Sequence, residues 1–332
     1  MVDVAVCGLA TVDIVARPVP LGEPLGRSTL TITDRIELTT GGLVSNAGIA
    51  LARWGVATAA VACLGNDAWA ETIRRQYQSA GLSTDHLEID HAAGTSATLV
   101  LVDPSGERSF IFQEGASARL TAERILKHRE LFRRCQWVLY GYYSLFPNQD
   151  RELPALFAEL RRIGCRVALD TAGHGGDLEP LSDILPHVDL YLPNLHEARH
   201  QCGDLAVDEL LDCYRRLGCT GILGVKLGAQ GALLSPAGQQ RLVVPSIEPP
   251  GAVLDTTGAG DAFDAGLIAG LIRGHSVSQA SRIAAAAGAC CVTALGATPG
   301  LRPWLETVRL ARLEDVPVTY HGQSEGKDVT DS

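Results

Sequence analysis

The chain has 332 residues, with 28 Lys and Arg against 38 Asp and Glu (formal charge −10), 46% hydrophobic and 20% charged. That balance excludes a disordered, collagen-like or coiled-coil protein and argues against tracking along nucleic acid, while a small anion could still be held by local backbone amides. No apolar run reaches the ~18 residues of a membrane span, and nine cysteines, odd in number and without a Cys-x-x-Cys pair, fit reduced buried thiols in a cytoplasmic protein.

In chain order, residues 2–8 predict a buried strand ending at Gly8, and the acid at position 3 argues against a secretion signal. Residues 28–38 alternate and are rich in Thr, which reads as exposed β-structure. Asn46 to Trp54 is helical, and 95–102 and 108–113 are β-like again, joined by the turn Pro104-Ser105-Gly106-Glu107. The β-pieces within about 14–40 and 92–115 are expected to form a small sheet projecting from the body. Arg119 to Arg134 is basic, but Ile125, Leu126 and Leu131 among the charges predict a solvated helix face. From 120 onward helices alternate with short apolar strands at 137–140, 166–170, 189–192 and 221–225, the rhythm of a parallel sheet covered by helices. The run Arg282 to Ala289 reads as a packing helix, and Gly266, Gly270 and Gly274, four apart, as packing contacts. The main domain is expected over 1–313, with 314–332 a polar extension, mobile from about 321.

One segment carries chemistry. Asp255-Thr256-Thr257-Gly258-Ala259-Gly260-Asp261 opens a helix that continues to Ile272. Free amides at such a start attract an anion, aided by the helix dipole, and glycines let a ligand approach the backbone. A carboxylate beside a phosphate seat suits a base that takes the proton of an attacking hydroxyl; the alternative is that Asp261 merely caps the helix. Gly-x-x-x-x-Gly-Lys-[Ser/Thr] is absent, and Gly258-x-Gly260 lacks a third small residue because position 263 is Phe. A P-loop enzyme or a standard dinucleotide fold is thereby disfavoured.

With Gly41-Gly42-Leu43-Val44-Ser45-Asn46-Ala47 upstream and the 255–261 segment far downstream, the sequence resembles the ribokinase/phosphofructokinase-B (PfkB) family of carbohydrate kinases. Smaller likenesses are Gly8 and Asp13, Gly65-Asn66-Asp67, Asn194-x-x-Glu197 and Lys226-x-Gly228-x-x-Gly231, and together they cover about 3–313. The resemblance implies a three-layer α/β ribokinase-like fold, with a mostly parallel central sheet between helices and a small β lid. It implies an ATP-dependent sugar kinase in which Asp261 is the base and the amides of Gly258, Ala259 and Gly260 are the anion hole. It further implies that Asp13, Gly41, Gly42 and Asn46 bind the sugar, and that Asn194, Lys226, Gly228 and Gly231 lie on the nucleotide side. Glu197 would organise Mg2+ through water, and Asp255 and Thr257 would lie where many members bind a monovalent cation such as K+.

The chain departs from the pattern at Ala172, where many relatives carry the Asn of Asp-x-Asn, and in the Ala and Gly run through 284–289. Both departures leave the acceptor open, with Glu114 and Arg108 as specificity candidates. A nucleoside kinase of the same family is one alternative, with Phe110, Phe112 and Tyr142 available to wall a base; a non-catalytic sugar-binding regulator is the other. Exposed edges of the lid predict a homodimer through it. Fifteen of the 35 glycines lie between 218 and 300, in the segment expected to hold nucleotide.

Overall fold

The first strand, β1 (Val4–Gly8), is apolar on both sides: Val4 and Val6 join one core, Ala5 and Cys7 the other, and all four are fully buried. A strand of that kind must be covered on both faces, which is the requirement of a parallel sheet between helix layers. The computed structural model describes residues 2–22 and 30–313. The extension at 314–332, and positions 28 and 29 of the expected exposed strand, lie outside the described residues.

After β1 come β2 (Thr11–Arg17), β3 (Arg35–Gly41), β4 (Thr58–Gly65), β5 (Ser83–Asp90), β6 (Ala97–Val102) and β7 (Arg108–Gln113). Then follow β8 (Trp137–Tyr143), β9 (Arg166–Thr171), β10 (Leu190–Tyr191), β11 (Ile222–Lys226), β12 (Ala232–Ser235) and β13 (Leu242–Val244). The main sheet has nine strands in the order β5-β4-β1-β8-β9-β10-β11-β12-β13. All are parallel from β5 to β11, and β12 and β13 add an antiparallel edge. The chain builds outward from β1 to β5, then returns to β8 on the other side of β1. That reversal opens a crevice at the carboxyl ends of β1 and β8, where ligands of such sheets bind.

The helices Leu43–Arg53, Ala259–Ile272 and Val277–Cys291 cover the Val4 face; Leu153–Ile163 and Val207–Arg216 cover the other. The Ala-rich helix packs as expected. A side chain at Gly266 would stand 2.9 Å from the Ala284 Cα, and one at Gly270 2.8 Å from the Ala280 Cβ, so both glycines permit close helix approach. Gly274 differs from its expectation. It has φ 81° just past the helix end, and a Cβ placed on it would meet open space, so it terminates the helix instead of packing.

The second, smaller sheet, the expected lid, has the order β3-β2-β6-β7. One boundary shifts: residues 30–33 are not in a strand, and pairing runs instead from Arg35 to Gly41. Asp13 lies within β2, opposite Thr39. The basic stretch also departs from a single solvated face. It breaks into short helices, Gly115–Arg119, Ala122–Leu126 and Arg129–Phe132. Arg119 and Arg124 pair with Asp90 at 2.7 and 2.8 Å, and the Asp90 side chain is only 2% exposed. A buried carboxylate requires such partners, and this one sits at the end of β5, which the charge pattern of 119–134 does not reveal. All nine cysteines are free thiols. Among the described residues no helix is long and apolar enough to cross a membrane.

Candidate active site

Strands β8, β9 and β11 end in Tyr142-Tyr143, Asp170-Thr171 and Lys226. Facing them is the turn 255–258, which the Asp255 carboxylate organises. Its Oδ1 accepts the Thr257 N–H at 2.7 Å and its Oδ2 the Gly296 N–H at 2.8 Å. Gly258 has φ 75° and precedes the helix Ala259–Ile272. A residue with a Cβ would be strained there and would overlap Ala297. No side chain caps this helix. The Ala259 N–H reaches the Thr256 carbonyl at 3.3 Å, and the Gly260 and Asp261 amides have no acceptor among the described residues. Unfilled first-turn amides and the helix dipole form a seat for an anion.

Asp261 is buried in the first turn of that helix. Its Oδ2 accepts Asn46 Nδ2 at 2.7 Å and the Tyr142 hydroxyl at 2.9 Å. Its Oδ1 accepts no hydrogen bond among the described residues. Burial raises its pKa and the Asp170 charge adds to that, while Asn46, Lys226 and Tyr142 pull it back, leaving it at about 6. A carboxylate so placed is still mostly ionised at neutral pH and ready to accept a proton.

Two further side chains have spare hydrogen-bonding capacity. Asn46 lies on the helix Leu43–Arg53, and its Oδ1 is buried without a partner. Asp13 Oδ1 is likewise buried and unpartnered. Burial raises the Asp13 pKa to about 6 against a hydrogen bond from Thr98. Gly41 closes against Asp13: a side chain there would overlap the carboxylate. Gly42 follows as the residue before the helix. Orphaned buried acceptors are costly in a fold, and here they suit the hydroxyl groups of a polyol.

Beneath the anion seat sits a charge cluster. Lys226 Nζ lies 3.3 Å from Asp170 Oδ1 and 3.1 Å from Asp264 Oδ2, and a Cβ at Gly260 would be 3.2 Å from it. Its side chain is 13% exposed. Burial acts to lower the Lys226 pKa, but Asp264, Asp170, Glu197 and Asp261 outweigh it and hold the ammonium charged. Asp264 is pushed well above the carboxylate range by burial, with Asp170 adding to the rise and Lys226 opposing it. Lys226 therefore reaches under the anion turn instead of standing at the surface.

Asn194 and Glu197 form a reciprocal cap on the helix Leu195–Cys202: Asn194 Oδ1 accepts the Glu197 N–H at 3.0 Å, and Glu197 Oε2 accepts the Asn194 N–H at 2.8 Å. The cap turns a buried Glu197 toward the cluster. Burial raises its pKa and Asp170 adds to that, against Lys226. Among the described residues no three His, Cys, Asp or Glu side chains converge as metal ligands. These donors suit a hydrated ion shared with phosphate, not one enclosed by protein.

Other expected residues stand apart. Gly228 is exposed in a tight turn in which the Leu227 N–H donates to the Gly231 carbonyl at 2.8 Å. Glu114 has an exposed side chain, and its carbonyl accepts the Ser96 hydroxyl at 2.5 Å. Arg108 binds Asp255, the organiser of the turn, not an open acceptor pocket. Sequence reasoning missed Tyr142 as a partner of Asp261, and Asp264 as a partner of Lys226. Tyr142 carried no signal beyond its place at a strand end. Asp264 stood in plain sight, a carboxylate in the otherwise apolar stretch Ala262 to Ile272, where a buried acid demands a cation.

Known proteins resemble this chain across most of its length. The description "pfkB family carbohydrate kinase" matches residues 1–304. Ribokinase of Haemophilus influenzae is 27% identical over 278 residues, covering 82% of this chain and 87% of that one. The structure of Arabidopsis thaliana ribokinase with ribose and ATP superposes with a TM-score of 0.81 at 24% identity, covering 94% of this chain and 99% of that one. A candidate ribokinase II from E. coli, solved with ATP and Mg2+, gives 0.77 at 21% identity, with 94% and 99% covered.

Proposed function

This chain belongs to the pfkB family of carbohydrate kinases, and from that premise we propose that it transfers the γ-phosphoryl group of ATP to a hydroxyl of a small sugar. The observation that carries the reading is Asp261, its Oδ2 held by Asn46 and Tyr142 at 2.7 and 2.9 Å, beside unfilled helix-start amides. The acceptor hydroxyl gives its proton to Asp261 Oδ1 as its oxygen bonds to the γ-phosphorus, and the bond from that phosphorus to the bridging oxygen breaks. The Gly258–Gly260 turn meets the charge that develops on the transferring group. Asp13, Asn46 and the Gly41-Gly42 backbone orient the sugar. Mg2+, held through water at Glu197 near the nucleotide phosphates, would neutralise phosphate charge when bound.

The lid sheet covers the sugar and excludes water. Its two faces differ. Asp13, Thr98 and Phe112 share the inner face, where Phe112 packs on Phe146 with centroids 6.3 Å apart. The outer face carries the row Leu38, Ile14, Leu99, Ile111 across four strands, with Leu38 54% and Ile111 61% exposed. Such a row on an open-edged sheet supports a homodimer through the lid. Free thiols throughout support a cytoplasmic setting.

A panel of pentoses, hexoses and nucleosides, read by ADP release, tests the function. Turnover with a sugar is expected. Turnover only with nucleosides would move the acceptor class, and ATP binding without turnover on any polyol would leave a sugar-binding regulator.

A further inference from the structure

The tip of the β6–β7 hairpin reaches the anion turn. Arg108 is the first residue after the 103–107 turn, on the strand face it shares with Phe110 and Phe112. From there its guanidinium forms an ion pair with Asp255 Oδ1, across 147 residues of sequence. The pair is well shielded, with side-chain exposures of 20% and 10%.

That contact conflicts with a monovalent cation at Asp255. Both carboxylate oxygens are already engaged: Oδ1 by the Thr257 N–H and Arg108, Oδ2 by the Gly296 N–H. Every partner is a donor, and one is a permanent cation. The residues here do not fit an added metal cation on this carboxylate.

We propose that Arg108 is an internal counter-cation that takes the place of a monovalent metal ion at Asp255, and that it makes the shape of the anion turn depend on lid closure. It is a positioning residue. It touches the carboxylate that holds Thr257 and Gly296, and through them it sets the turn running into Gly258 and Asp261. The consequence for the reaction rests on the kinase reading above; the occupancy of the Asp255 site by Arg108 does not.

The test compares wild type, Arg108→Gln and Arg108→Lys in tetramethylammonium buffer, with and without K+. The first readout is thermal unfolding, which needs no substrate. The wild-type midpoint is expected to ignore K+, whereas Arg108→Gln, with its carboxylate released, gains at least about 2 °C from K+ because only the folded chain presents the site. Arg108→Lys keeps the charge and stays insensitive. The second readout is turnover of the sugar found by the panel. Arg108→Gln should lose about 10–100-fold in kcat/KM and recover part of it with K+. Equal K+ responses in wild type and Arg108→Gln, insensitivity in both, or a response confined to wild type would each overturn the proposal. If Arg108→Gln fails to fold, Arg108→Met repeats the comparison. An inactive but correctly cation-responsive set would count against the kinase reading alone.

Discussion

The two walls of the site are built differently. On the body side, Asp261, Asp264 and Asp170 are buried and Lys226 is partly so, at strand ends and in a helix that the two cores fix in place. On the lid side, a four-stranded sheet leaves Ile36, Leu38, Phe110 and Ile111 more than half exposed and meets the anion turn through the Arg108 tip. Under the proposed function, the body pre-organises the charge that chemistry needs, and the lid sheet supplies contacts around the substrate. The comparison teaches that substitutions on the body wall should act on kcat and stability, and those on the lid wall on substrate binding and assembly.

The largest effect should follow from Asp261→Asn. Removing the base is expected to lower kcat by about 10²–10⁴, with ATP affinity nearly unchanged by calorimetry. Lys226→Met comes next. It strips the cation from Asp170 and Asp264 and should cost about 3–5 kcal/mol of stability in denaturant unfolding, because it leaves the buried acid cluster without its counter-charge. A cost below about 1 kcal/mol, the usual worth of an exposed pair, would show the cluster to be well solvated. Asn46→Leu removes a hydrogen bond to a charged group, worth about 1.5–3 kcal/mol, together with an acceptor for the sugar. A fall of about 10–100-fold in kcat/KM, shared between kcat and KM, should result. The smallest effect on kcat belongs to Ile111→Lys on the outer lid face, which should shift light scattering from dimer to monomer at nearly constant kcat. A dimer that survives it would move the interface off this face.

The body wall is the more legible in sequence. The Gly-rich helix start places Asp261 and the free amides by local rules alone, and the buried apolar strands at 137–140, 166–170 and 221–225 follow from hydrophobic runs. What stays hidden depends on contacts between distant segments. The resemblance makes Asn194-x-x-Glu197 a nucleotide-side and Mg2+ motif, and the fold shows that the same two residues also form a helix cap, with Glu197 facing the cluster. Lys226 is a plain strand-end lysine until Asp170 and Asp264 are brought to it from 56 and 38 residues away. Arg108 is one arginine in a hairpin until the lid folds over Asp255.

The most direct measurement is the pH dependence of kcat/KM for sugar phosphorylation by wild type, Tyr142→Phe and Asp261→Asn. Burial and the Asp170 charge raise the Asp261 pKa to about 6, net of the opposing partners, and the base works when ionised. Activity should therefore be level above about pH 7 and fall as pH drops through about 6. Tyr142 donates to the ionised form, so Tyr142→Phe should move that limb to higher pH and cost roughly tenfold near neutrality. The residual activity of Asp261→Asn should lack the limb, which separates this ionisation from that of the nucleotide. A limb that persists unchanged in Asp261→Asn, or a wild-type profile flat from about pH 5 to 8, would contradict Asp261 as the base.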